Sequence, residues 1–178
     1  PIGVNIMVAL SNYRELVEES VRSGADFIIS GAGLPLYLPE YAGKSDIALI
    51  PVISSARAIR ALLGTWKRRY NRKPDAVIIE GPFNGGHLGF TLEQIQNPES
   101  CSIEKLYSEV KEAMLEFDCA DIPLIAAEMV SSKNDIERML KIGFSGVQIG
   151  TFFIASEEAG INRKSKEVFV RASSKDIT

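Results

Sequence analysis

Histidine is almost missing from this chain: 178 residues contain one, beside one tryptophan and two cysteines. The cysteines, Cys101 and Cys119, lack metal-ligand spacing and form no disulfide framework. They read as reduced thiols, and with no visible signal peptide the expected compartment is cytoplasmic. No apolar run reaches the roughly 20 residues of a membrane helix. Positive charge is not in excess, since 20 Lys and Arg stand against 23 Asp and Glu, for a net charge of −3 and a pI of about 5.3. A general affinity for nucleic acid is therefore not implied. The one basic cluster, Lys67, Arg68, Arg69, Arg72 and Lys73, falls at the C-terminal end of a helix, where it complements the dipole and the solvent. There is no separate dinucleotide fingerprint and no internal sequence repeat. What remains is an ordinary balance of 46% hydrophobic and 24% charged residues, enough for a single domain with a real core. The chain starts at Pro1 inside a strand-like run, without an initiator Met, and a fragment is expected.

The single histidine is where the chemistry gathers. Glu80-Gly81-Pro82-Phe83-Asn84-Gly85-Gly86-His87-Leu88-Gly89-Phe90 follows an apolar run, Ala76-Val77-Ile78-Ile79, that reads as a buried strand. A strand that stops at a carboxylate and opens into a glycine-rich loop lets backbone approach a ligand closely. His87 adds a group that exchanges a proton near neutral pH. The pattern points to a ligand site with an acid–base residue; a tight loop with a solvated histidine has the same letters.

Strand and helix patterns alternate along the rest. Residues 3–9 read as a strand buried on both faces, with Asn5 its polar exception, needing a backbone or ligand partner. Asn12-Tyr13-Arg14-Glu15 has the form of a capping box before a helix ended by Gly24. Residues 25–30 form a second strand that opens into Gly31-Ala32-Gly33-Leu34-Pro35, either a close-approach loop or a plain turn. Residues 47–53 form a third strand, expected to bend or end near Pro51. Ser54 or Ser55 caps a helix with Ile59, Leu62, Leu63, Trp66 and Tyr70 on its apolar face. Residues 91–101 are expected to be irregular, a cover over the site. A helix from Ser102 buries Met114 and Phe117. A fifth strand covers residues 122–127, a short helix follows with Ile136, Met139 and Leu140 on one face, and a sixth strand covers residues 146–151. From Phe152 onward the chain reads as helical.

Such alternation implies right-handed βαβ units and a parallel sheet. Strands this apolar need helices on both faces, as in an open doubly wound sheet, or closure into a barrel with helices outside. Six units are too few for the eight-stranded barrel. In either architecture function sits at the C-terminal strand ends, where Gly31, Gly33, residues 80–87, Glu128 and Gly150-Thr151 fall.

Several segments together resemble one family. They are Gly3-Val4-Asn5-Ile6-Met7, Gly31-Ala32-Gly33-Leu34-Pro35, Glu80-Gly81 with Gly85-Gly86-His87-Leu88-Gly89, Ile122-Pro123-Leu124-Ile125-Ala126-Ala127 and Gln148-Ile149-Gly150-Thr151. In this order and spacing they resemble the FMN-dependent nitronate monooxygenases (2-nitropropane dioxygenases) and the related flavin-dependent enoyl-acyl-carrier-protein reductases. The resemblance covers essentially the whole chain and implies a (β/α)8 TIM barrel, here six of its units, in one partial FMN-binding domain over residues 1–178. It implies FMN as cofactor, with Asn5, Glu80, Gly85, Gln148, Ile149, Gly150 and Thr151 as cofactor-binding positions, His87 as catalytic residue and no metal. The implied reaction converts an alkyl nitronate and O2 to a carbonyl compound and nitrite; enoyl reduction is the alternative, and a degenerate barrel that binds FMN weakly is another. The expected partner is a small-molecule substrate, with neither nucleic acid nor membrane, and open barrel edges favour a homo-oligomer. One departure stands out. Glu128-Met129 replace a Gly-Gly pair whose amides hold the FMN phosphate in the family. A carboxylate about 4 Å from a phosphate charge costs roughly 4 kcal/mol at an effective dielectric near 20, so weakened FMN binding is expected. Phe152 likewise stands where relatives often carry arginine.

Overall fold

The computed structural model describes residues 1–83 and 89–172. Six strands, β1 (Gly3–Met7), β2 (Phe27–Gly31), β3 (Ala48–Ile53), β4 (Val77–Glu80), β5 (Leu124–Ala127) and β6 (Gly146–Gln148), pair in parallel and in sequence order. Between them run α1 (Tyr13–Arg22), α2 (Leu38–Ala42), α3 (Ala56–Tyr70), α4 (Leu92–Gln96), α5 (Ile103–Leu115) and α6 (Lys133–Ile142), with α7 (Thr151–Ile154) and α8 (Arg163–Arg171) after β6. The strand order decides between the two architectures left open. A doubly wound sheet reverses its order at a switch point, which is how helices reach both faces. Here the order never reverses, so right-handed crossovers all return on one face and the sheet curls into part of a (β/α)8 barrel.

Burial follows from that. Ile6, Ile28, Leu49, Ile53, Val77, Ile79, Leu124 and Ala126 alternate along their strands on the helix-facing side, where they share one core with Val17, Ile59, Leu62, Trp66, Met114 and Met139. The opposite, concave side is only part-covered. For this reason β1 is not buried on both faces as its composition suggested. Only Ile6 is buried; Val4, Asn5 and Met7 are exposed, because β1 is an edge strand of this sheet with β2 on one side.

Local expectations divide along the same lines. Ser55 caps α3 by accepting the Ala58 amide, and Asn71 ends it in the left-handed region at φ 48°. Asn12 precedes α1 but makes no side-chain cap bond, so the capping box is absent there. Two such boxes occur instead at Thr91–Gln94 and Ser132–Asp135. The first starts α4, and a 3-10 turn follows at Pro98–Cys101, so this stretch is ordered and not irregular. β3 runs through Pro51 to Ile53; pairing with β2 ends at Pro51, while pairing with β4 is at Val52 and Ile53. Leu140 is exposed on α6, which buries only Met139, and Phe117 lies beyond the end of α5, half-buried against the core. β6 stops at Gln148, and the last part is two separate helices.

Two buried polar contacts hold the segments that follow strands. Trp66, wholly buried in α3, donates its indole N–H to the Pro35 carbonyl at 3.1 Å and so holds the loop after β2. Glu128, just after β5 and 6% exposed, is the one buried carboxylate among the described residues. Its Oε1 accepts the Phe83 amide at 3.4 Å, while Oε2 is buried without a hydrogen-bond partner. The carboxylate lies where a side chain of Gly81 would be, since a Cβ there would sit 2.5 Å from Glu128 Cδ. Burial pushes the Glu128 carboxyl above its ordinary value of 4.5, with the Phe83 amide and Arg138 pulling it part of the way back.

A carboxyl with a raised folded-state pKa contributes most below its unfolded value and loses that contribution as pH rises through the folded one. Between pH 4 and pH 7 the wild type should therefore lose stability relative to Glu128→Gln. Parallel urea-denaturation midpoints for the two proteins across that range would refute it. Trp66→Phe, which leaves the Pro35 carbonyl without its donor, should cost about 2 kcal/mol in the same assay; a loss under about 0.5 kcal/mol would show that the contact is dispensable.

Candidate functional site

The register brings distant residues side by side at the C-terminal edge. Glu80 pairs with Ala127 and Ala127 with Gln148, so one lateral row crosses three strands. Residues in register share a face, and this row is on the concave side, opposite Ile79 and Ala126. Two of the expected cofactor positions, Glu80 and Gln148, therefore flank a small residue. Asn5 lies on the same face in another row, with Ile29 and Ile50, and is exposed. Ile149 and Gly150 follow β6, and Thr151 opens α7. Gly85 and His87 lie outside the described residues.

Next to Glu80 is a cleft of about 340 Å³. Ala32, Gly33 and Leu34 from the loop after β2 form one wall; Ser54 after β3, Glu80 and Gly89 form another. Its shape rests on residues without side chains. A Cβ on Gly31 would meet Val52 Cβ at 2.9 Å, and one on Gly89 would meet Ser54 Oγ at 2.2 Å. Gly33 holds φ at 129°, which other residues rarely adopt. The two-glycine loop is thus a close-approach loop and not a plain turn.

The residues on either side of the histidine segment are each held by a carboxylate, one behind the sheet and one at this rim. At its start, the Phe83 amide donates to Glu128. At its end, the Gly89 amide donates to Glu80 Oε2 at 3.4 Å, and the Gly89 carbonyl accepts from Ser54 Oγ at 3.0 Å. Ser54 is the residue that sequence reading missed in this role. It had been weighed only as a helix cap, although its place one residue after β3 already put it on the functional edge.

Two features bear on a flavin. The concave face carries Gly31 and Ala127 in its rows beside larger residues such as Ile29, Ile50 and Val52, with open space beside Gly146 and Gly150, where a Cβ would meet nothing within 4 Å. The region after β5 is different from the expectation. Glu128 faces the helices, over Gly81, so its carboxylate points neither to solvent nor to the concave side. At the head of α6, the Ser131 and Ser132 amides are already taken by Asp135 Oδ2, at 3.0 and 2.9 Å. These bonds hold the Asp135 carboxyl below its ordinary range. Those two amides are therefore not free for a phosphate. Among the described residues no group of His, Cys, Asp and Glu could hold a metal ion, and no helix is long and apolar enough to cross a membrane.

Known proteins share this arrangement. FabK from Thermotoga maritima superposes with a TM-score of 0.76 at 27% identity, over 97% of this chain and 48% of that one. A (3aS,4S,5R,7aS)-5-hydroxy-7a-methyl-1-oxo-octahydro-1H-indene-4-carboxyl-CoA dehydrogenase of Rhodococcus jostii (strain RHA1) is 26% identical over 182 residues, the whole of this chain and 44% of the relative. Nitronate monooxygenase npaC of Metarhizium robertsii is 31% identical over 100 residues, 56% of this chain and 25% of the relative. The chain thus spans less than half the length of each. The model of the nitronate monooxygenase family matches residues 1–178, end to end, and with the sequential half-barrel and its glycine-built strand ends it places this chain in that family.

Proposed function

We propose that this chain forms the cofactor-binding strand ends of a flavin-dependent oxidoreductase of the nitronate monooxygenase type, with FMN as the flavin. The overall reaction is conversion of an alkyl nitronate and O2 to a carbonyl compound and nitrite. The observation that carries this reading is the lateral row Glu80–Ala127–Gln148 beside the glycine-built cleft. Polar side chains stand on either side of a small residue, next to an apolar, part-covered face.

Within that reading Asn5, Glu80 and Gln148 orient the ring by hydrogen bonds, and residues 149–151 approach it through backbone. When bound, the flavin supplies the electron chemistry; the protein contributes positioning and proton handling. His87, in the loop whose ends are held by Glu128, Glu80 and Ser54, takes the proton α to the nitro group. Leu34 and Val52 cover the cleft with apolar surface, which strengthens each polar contact inside it.

Enoyl-thioester reduction is the second reading, favoured by the likeness to FabK across 97% of the chain. NADH consumption with an enoyl thioester and no nitrite release with a nitronate would select it. The primary test is a visible absorption spectrum of the purified protein before and after adding FMN, followed by nitronate turnover. Bound-flavin bands are expected, and His87→Ala should retain them while turnover falls by about 100-fold or more. Absence of bound flavin even at high FMN would overturn the assignment in favour of a non-catalytic barrel.

A further inference from the structure

Between the start of α1 and the loop after β2 lies a second recess, of about 300 Å³. Val8 and Leu10 form one side of it, and Leu34, Pro35 and Leu36 the other. Leu34 is the one lining residue it has in common with the cleft at Glu80. Its back is on the helix side of the sheet, where the buried Tyr13 reaches Ser30, which is in register with Ile6. Buried polar contacts fix both walls. Ser30 Oγ donates to the Ile6 carbonyl at 3.2 Å, so in its 2.8 Å bond with Tyr13 the phenol is the donor. Burial pushes the Tyr13 hydroxyl up to about 12, and the side chain stays neutral at pH 7. On the opposite wall the Pro35 carbonyl is held by Trp66. A preformed, mostly apolar recess with a few convergent polar groups is the usual form of a small-molecule site.

Its aromatic and charged groups select the ligand. Tyr13 meets Tyr41 edge to face with ring centres 5.9 Å apart, and Tyr37 stacks on Tyr41 at 6.2 Å. A cluster of rings favours a further aromatic ring over an aliphatic chain of equal area. Arg14 is the only charged residue in the lining. Its guanidinium lies 5.5 Å from the centre of the Tyr41 ring, and its Nε donates to Glu18 at 2.7 Å. That bond leaves both Nη groups without a hydrogen-bond partner among the described residues. Glu18 and Glu15 lie outside the lining. Asn12 gives α1 no side-chain cap, and Ser11, Tyr13 and Arg14 put the positive end of that helix on the recess.

We propose that this recess is a second ligand site, separate from the cleft at Glu80, and that it takes a small aryl carboxylate. The ring lies among the tyrosines and leucines, and the carboxylate accepts from the two Nη groups of Arg14, whose planar fork matches its two oxygens. A neutral ring of the same shape keeps the apolar contacts and loses the charge-assisted bonds.

Calorimetric titration of the full chain with 2-naphthoate and with 2-naphthamide, its neutral counterpart, tests the proposal. Binding of 2-naphthoate at one site is expected, tighter than the amide by about fivefold or more at this part-exposed arginine. Arg14→Gln, at an exposed position, should bring the two ligands within about twofold of each other, and Tyr41→Leu should weaken both alike. Saturating FMN should leave 2-naphthoate binding unchanged, because the cleft at Glu80 is a different space. No binding of 2-naphthoate, an amide bound as tightly, or a preference that survives Arg14→Gln would overturn the proposal. Displacement of 2-naphthoate by FMN would overturn it too, by putting the ligand at the concave face.

Discussion

Parallel pairing in unbroken sequence order governs this molecule. Each right-handed crossover must return on the same side, so α1, α3, α5 and α6 pack against one face and the other is left open. The core of Ile6, Ile28, Leu49, Val77, Ile79 and Leu124 lies wholly between strands and helices. The concave face needs no tight packing of its own and can hold small residues and polar tips. Function is placed by the same geometry, since every strand delivers its C-terminal end to one edge.

Glycine and buried polar contacts then shape that edge. Gly31, Gly33 and Gly89 remove side chains where Val52, Val8 and Ser54 approach. Trp66 and Glu128 hold backbone from the helix-facing side, one at the Pro35 carbonyl and the other at the Phe83 amide. Glu128 illustrates how a carboxylate can be kept inside without an ion pair. It gains one amide bond and leaves Oε2 unpartnered, at the cost of a carboxyl that holds its proton more tightly. The position next to it, Ala127, faces the opposite way and stays small.

Much of the fold was legible in the letters. Apolar runs ending in glycine or a polar residue marked all six strands, and Ser54 or Ser55 and Ser102 marked helix starts. Reading failed where a residue's surroundings come from far along the chain. The β1 run looked buried because its composition is apolar, yet a strand at a sheet edge is covered on one side only. Leu140 matched the i+4 spacing from Ile136, but α6 leaves it 49% exposed. The stretch 91–101 looked irregular because its polar residues are caps, which are polar by necessity.

For the site, letters alone offered candidate residues and not their relations. Glycine-rich strand ends and a lone histidine announce a ligand loop, because few other residues permit close backbone approach. The parity of a strand is also local, so each of Glu80, Ala127 and Gln148 could be assigned a face in its own segment. Their alignment in one row is not local: it needs the register of β4 on β5 and β5 on β6, set by packing between elements far apart in sequence. The direction of Glu128 was equally hidden. Sequence put a carboxylate at the end of β5, and it was the strand's orientation against Gly81 and the helices that turned its charge to the back of the sheet, because alternate side chains of one strand must face opposite sides.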